Sequence, residues 1–207
     1  MAYLEPADYA NYGLPAGTTA DWIAAATALI NSHCRRPDLN VVEYIERLRV
    51  TTGVQTVLLS YLPLALLAPA TSPLVGINGR YARPRRGEIL NEAMSEVVSA
   101  FALPGQWTAI DPALVDFDPA TGELTLPWNV LGLPYNEVQV TYTAGLVAIG
   151  DDVKSACAQI VRNAQATPAL NASMSKIDTM QVKYFSSSLI DETVQEWLKP
   201  YVANRLG

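Results

Sequence analysis

Glu137-Val138-Gln139-Val140-Thr141-Tyr142-Thr143 alternates apolar and polar side chains, and Ala144-Gly145 closes the run. A short loop later, from Asp151, the period changes. Val153, Ala156, Cys157, Ile160, Val161 and Ala164 recur as one stripe at helical spacing, and Pro168 ends the pattern. Period two is the mark of a half-buried strand and a three-four spacing that of an amphipathic helix. The chain therefore passes from β to α structure between residues 145 and 151.

The segments upstream of this junction are mostly extended. Glu43 to Val50 reads as a strand with Tyr44, Leu48 and Val50 on one face, and Gly53 turns the chain into a second strand, Val54 to Leu62. Leu74 to Ile77 reads as a third, ending at Asn78-Gly79, a dipeptide that favours tight hairpin turns. Val115 to Phe117 and Glu123 to Leu126 are short strands joined by the turn sequence Asp118-Pro119-Ala120-Thr121-Gly122. Residues 88–103 fit either a helix, with Glu88, Glu92 and Glu96 outward, or a strand over 97–101.

Helices flank this block. Thr18-Thr19-Ala20-Asp21 has the form of a capping box. Trp22, Ile23, Ala26, Leu29, Ile30 and His33 follow at helical spacing, with Arg35 and Arg36 expected in the last turn before Pro37. Residues 1–17 read as an ordered arm with a short turn. At the other end, Asp178 to Phe185 reads as a strand or extended arm. A last helix is expected from Ser188, with Asp191 completing a capping box and Ile190, Val194, Trp197 and Leu198 inward. The expectation is an α+β fold. A small helical body, the N-terminal helix plus two C-terminal helices (residues 1–40 and 146–207), carries an inserted antiparallel β domain (residues 41–145).

Composition limits the function. The 207 residues are 50% hydrophobic and 16% charged, with formal net charge −6, one His and two Cys. So apolar a chain is not disordered, and so acidic a chain is not a general nucleic-acid binder. One His and two Cys cannot supply a four-ligand Cys/His zinc site. Cys34 and Cys157 fall on apolar helix faces and are expected as reduced core thiols, with a Cys34–Cys157 bridge as the alternative. The longest apolar run, Val57 to Ala70, is broken by Pro63 and Pro69 and is shorter than the roughly 20 residues that span a bilayer. The N-terminus lacks the basic and apolar regions of a signal peptide, so the chain is expected to be made in the cytoplasm.

No catalytic set emerges. His33 has no Gly-x-Ser-x-Gly elbow to serve, and His33-Cys34 does not share a helix face. Asp116-Phe117-Asp118 with Glu123 has only a faint likeness to a calcium loop, lacking the full ligand spacing; a hairpin turn is preferred. Gly76-Ile77-Asn78-Gly79 is neither a Walker nor a Rossmann loop. A hydrolase using His33 or the Asp116/Asp118 pair lacks a nucleophile, base and orienting group.

Charge is unevenly placed. Residues 1–50 sum to −2, residues 51–86 to +4 and residues 87–207 to −8. All of the middle balance comes from Arg80, Arg83, Arg85 and Arg86 in one Pro-broken stretch. Such a stretch is a solvated loop, a dock for an acidic protein surface, or a phosphate contact, because arginine forks suit both anions. Trp22 and Trp197 are expected in helix cores. Trp107 and Trp128, in Gly/Pro-rich loops, either clamp the β core or anchor an interface.

Three stretches together resemble the head–tail connector proteins of tailed bacteriophages, also called head–tail adaptor or head-completion proteins. They are the helix with Ala24-Ala25-Ala26 through Ile30, leading to Cys34-Arg35-Arg36; the strand ending Val140-Thr141-Tyr142-Thr143-Ala144-Gly145, with the helix from Asp151; and Met180-Gln181-Val182-Lys183-Tyr184-Phe185, with the helix ending Trp197-Leu198-Lys199-Pro200-Tyr201. They cover about half the chain, in the family's order. The block over 41–135 looks like the inserted β domain of larger members. The resemblance implies a virion-neck protein, assembled in the host cytoplasm as a ring, expected to be a dodecamer, beneath the portal. The ring gives tail or tail-completion proteins a platform, and genome DNA passes through its lumen without sequence-specific binding. It implies no enzyme activity, cofactor, metal or membrane. A low charge density leaves surface for neighbouring subunits, and an acidic lumen would not hold DNA phosphates. The competing reading is a β-domain module that recognises carbohydrate or protein through Trp107 and Trp128.

Overall fold

A computed structural model of the chain describes residues 2–50, 55–80, 106–128, 135–166, 174–177, 180–183 and 189–204. The Gly53 turn, residues 81–86 with Arg83, Arg85 and Arg86, the helix-or-strand segment 88–103 and Pro168 lie outside the described residues. The fold is α+β. Among the described residues its α-helices and strands are α1 (Ala20–Cys34), β1 (Val42–Arg49), β2 (Thr56–Leu58), β3 (Leu74–Arg80), β4 (Thr108–Ile110), β5 (Asp116–Phe117), β6 (Glu123–Thr125), β7 (Glu137–Ala144), α2 (Asp151–Ala166), β8 (Met174–Ile177), β9 (Met180–Lys183) and α3 (Glu192–Leu198). All strand pairs are antiparallel. The chain divides into two compact units, Met1–Leu39 with Ala148–Ala203, and Asn40–Val147 with Asn204–Gly207.

The first unit is helical. The buried residues of α1, Ile23, Ala26, Thr27, Ile30 and Cys34, form one stripe. They pack on the stripe of α2, where Val153, Ala156, Cys157, Ile160 and Val161 are buried as the spacing predicts. Trp22 was expected in this core but is 40% exposed. It sits one residue, about 100° of helix, away from the Ile23 stripe, and Trp197 is only half-buried. Both thiols are free and buried.

The helix ends also depart from expectation. Thr19, not Thr18, is the N-cap of α1, and it makes no side-chain cap. The Thr18 hydroxyl instead accepts a hydrogen bond from Gln165 Nε2 at 3.4 Å. Helix α1 stops at Cys34, so Arg35 and Arg36 lie beyond the last turn. Arg35 takes the left-handed conformation, φ 56°, and the Arg36 amide reaches back to the Asn31 carbonyl. Asp191 is itself the N-cap of α3, which starts four residues later than Ser188. One carboxylate oxygen of Asp191 accepts from the Val194 amide at 2.9 Å, and the other accepts from buried Asn163 Nδ2 at 3.0 Å. The Asn163 contact is why Asp191 takes the role, since it ties the start of α3 to the side of α2. Within the stretch 178–185, Met180–Lys183 is a strand, as one of the two expectations had it, and it pairs antiparallel with Met174–Ile177; the rest of that stretch lies outside the described residues.

The second unit is two sheets around one core. The larger has the order β1-β7-β3-β4 and the smaller β2-β6-β5. Val57 and Leu124 from the small sheet join Tyr44, Ile77, Val138, Val140 and Tyr142 from the large one in a single cluster. Tyr44 stacks on Tyr61 at 3.9 Å between ring centres, and the Tyr142 hydroxyl accepts from the Tyr61 amide at 3.3 Å. The Tyr44, Leu48 and Val50 face of β1 is thus the inward one.

Three strand expectations need correction. The Val54–Leu62 strand is paired only over Thr56–Leu58, because the Leu59 amide turns to the Gly122 carbonyl and the chain then crosses to the end of β7. The outward face of β7 is covered at both ends, not open. The Thr143 hydroxyl donates to the Ala65 carbonyl at 2.5 Å, and Glu137 is buried by arginines. Asn78-Gly79 is no turn. Strand β3 runs through it to Arg80, paired with β4 on one edge and β7 on the other. Glycine is needed at 79 for packing. A Cβ there would lie 2.5 Å from the Tyr135 ring.

Gly79→Ala should therefore cost roughly 1–3 kcal/mol of stability by overpacking. Urea denaturation of Gly79→Ala, Tyr135→Ala and the double variant should show strong coupling, because removing the ring makes room for the methyl. Additive costs would locate the need for glycine elsewhere.

Candidate functional site

Among the described residues, the corner where β1, β7 and β3 meet gathers three arginines around one carboxylate. Register places Arg49, Glu137 and Arg80 on one rung, with Arg47 beside Gln139 on the next. Side chains on paired positions share a face, so all four point away from the core. The Glu137 carboxylate receives Arg47 Nε at 2.6 Å on one oxygen and Arg80 Nε at 2.5 Å on the other. Arg49 Nε stands 3.8 Å from the same carboxylate. Trp107, immediately before β4, lies over Arg80 with the guanidinium carbon 4.4 Å from the ring centre, and Arg47 is 5.8 Å away.

Glu137 is 3% exposed. Burial by itself would raise its pKa. The hydrogen bonds from Arg47 and Arg80 and the charges of Arg80 and Arg49 outweigh that and hold it below the usual carboxylate range. The carboxylate stays ionised and fixes the guanidiniums. Three guanidiniums around one carboxylate leave two net positive charges, with a 37%-exposed indole beside them. Arginine does not exchange protons near neutrality, and no nucleophile, histidine or thiol stands among these residues. The arrangement presents fixed guanidiniums beside a partly exposed indole, and guanidinium forks suit carboxylate or phosphate oxygens.

Of the residues singled out in the sequence, Arg80 and Trp107 are brought together here. Trp128, after β6, is largely exposed and enters neither cation–π pair. Arg83, Arg85 and Arg86 lie outside the described residues. Arg47, Arg49 and Glu137 were missed. Their one local signal was Arg47 and Arg49 flanking Leu48 at period two; the register that sets Glu137 between two strands is not local.

The second charged feature is a shallow groove of about 230 Å³ on the small sheet, lined by Asp116, Phe117, Asp118, Glu123 and Thr125. Asp118 is a turn residue, accepting from the Ala120 amide at 2.8 Å and the Thr121 hydroxyl at 2.9 Å. Those bonds, the Ala120 amide first, lower its pKa. The β5–β6 hairpin turn is thus the role this segment plays. Among the described residues no group of three His, Cys, Asp or Glu could hold a metal ion. Burial pushes both Cys34 and Cys157 up to about 11, so neither is an activated thiolate. His33 is half-buried in the last turn of α1. No helix among the described residues is long and apolar enough to cross a membrane. Neither a protein-family model nor a curated protein matches the chain.

Glu137→Gln should cost on the order of 2 kcal/mol, because charged hydrogen bonds are lost while the guanidiniums remain together. The lowered folded pKa means its contribution is present above the unfolded value of roughly 4.3 and lost as pH falls through the folded one. Urea denaturation between neutral pH and the acid range should show a shallower acid loss for Glu137→Gln than for the unchanged protein. Parallel acid limbs would show that the carboxylate is not linked to folding.

Proposed function

We propose that the chain is a structural head–tail connector of a tailed bacteriophage. In this reading it is not an enzyme and takes no cofactor. It assembles in the host cytoplasm as a ring, a dodecamer when it matches the portal, and becomes part of the virion neck. The portal protein lies above it, and a tail or tail-completion protein docks below. Genome DNA passes through the lumen without sequence-specific contact, and no membrane is involved.

The reading draws on the order of elements and on the nature of the exposed site. A helical unit made from both ends of the chain, with an antiparallel β unit inserted between them, agrees with the order of the three stretches that resemble the family. The observation that carries the reading is the Arg47–Arg80–Trp107 surface, held in place by buried Glu137. Arginine and tryptophan are enriched among the residues that carry most of the binding energy of protein interfaces. The alternative, a module gripping carbohydrate or protein through Trp107 and Trp128 together, finds less support, because Trp107 is engaged with Arg80.

The test is reconstitution. Mixed with the portal of the same particle and viewed by electron microscopy, the protein should add a ring of the portal's symmetry to one end. A protein that stays monomeric and shows no affinity for portal or tail proteins contradicts the proposal.

A further inference from the structure

The two charged features of the β unit lie on opposite sides of one core. In the small sheet, Val57 pairs with Leu124 and Leu124 with Phe117, and Val57 and Leu124 are buried inward. The residues between them, Leu58 and Glu123 on one rung and Asp116 and Thr125 on another, therefore face outward. In the large sheet, Val138, Val140 and Tyr142 face the same core. Ile45, Arg47, Arg49, Glu137 and Arg80 thus face outward on the far side. One outer face carries three guanidiniums around one carboxylate; the other carries the carboxylates of Asp116, Asp118 and Glu123.

Each face also exposes apolar surface where a partner would need it. Ile45, 63% exposed, neighbours Arg47 beside Trp107, and Leu58, 42% exposed, pairs across from Glu123. Asp118 is partly occupied by its turn, whereas Asp116 and Glu123 are exposed and, among the described residues, accept no side-chain hydrogen bond. Glu43, the one acidic residue of β1 on the basic face, lies beyond Ile45 on the side away from the arginines.

We infer that the basic outer face, Arg47, Arg80, Trp107 and Ile45, docks on the acidic groove of Asp116, Glu123 and Leu58 in a second copy of this chain. Charge complementarity selects this occupant. An acidic chain of net charge −6 holds both halves of the match. Because the halves lie on opposite faces, the contact is head-to-tail. Each added copy leaves one basic and one acidic face free, so the assembly closes into a ring where the rotation per copy closes and runs on as a filament where it does not. The inference rests on the connector reading for the closed ring, and it assigns the surfaces that reading leaves open.

The test is sedimentation velocity of the full chain at low ionic strength, up to millimolar concentration. The unchanged protein should self-associate, and added salt should weaken the association. Arg47→Glu and Glu123→Lys should each weaken it at least about tenfold, since like charges then meet. Ile45→Asp, which does not touch Glu137, should do the same, and far-UV dichroism should show all three folded. The decisive sample is an equal mixture of Arg47→Glu and Glu123→Lys. Each variant keeps the half its partner has lost, so association should return to within a few-fold of the unchanged protein. An unchanged protein that remains monomeric, single variants that associate normally, or a mixture that fails to recover would each overturn the inference. Portal-bound rings formed equally well by Arg47→Glu would remove this interface while leaving the connector reading standing.

Discussion

Strand β7 hydrogen-bonds to β1 on one edge and to β3 on the other, and most of the β unit follows from that double pairing. A strand with both edges used cannot slip in register without moving two neighbours, and a one-residue slip would turn its core residues outward. Val138, Val140 and Tyr142 are completely buried on its inner face. The same register fixes Glu137 on one rung with Arg49 and Arg80. A buried carboxylate with three arginines around it would be costly if displaced. The register therefore sets the charge cluster, and the cluster in turn resists slippage.

At its other end β7 leads into the junction between the two units. Gly145 has φ 135°, and a Cβ there would lie 2.3 Å from the Asn40 carbonyl oxygen. Only glycine lets the chain leave β7 against the segment that enters β1. The Gly145 amide donates to the Pro63 carbonyl, and Asn40 bridges to Leu146. Entry to and exit from the β unit are thus adjacent, as an insertion into a helical body requires. In the helical unit, the Ala203 amide donates to the Cys34 carbonyl, so the end of the chain satisfies an open carbonyl of α1.

Periodicity made the regular elements legible. The α1 and α2 stripes, the inward face of β1 and the β5–β6 hairpin follow from local spacing, because each depends on neighbours within a few residues. The errors share one cause, which is contact with a distant segment. Asn78-Gly79 has the chemistry of a turn but becomes strand interior because β4 and β7 pair with it on both edges. Asp191 caps α3 because Asn163 holds it there. Thr143 lies on the polar side of the β7 alternation yet is buried, where it hydrogen-bonds to Ala65 and Pro73. The candidate site was half-readable for the same reason. Arg80 and Trp107 stood out by composition, whereas Arg47, Arg49 and Glu137 gain their meaning only from cross-strand register.

Function lies a further step away, since one fold serves many roles. The role proposed for this chain is assembly, in several copies as a ring, in the neck of a phage particle. Cryo-electron microscopy of the neck of purified particles tests this most directly. The account predicts a ring of this chain beneath the portal and around the DNA channel. Particles that lack the chain, or that hold it away from the neck, would contradict it.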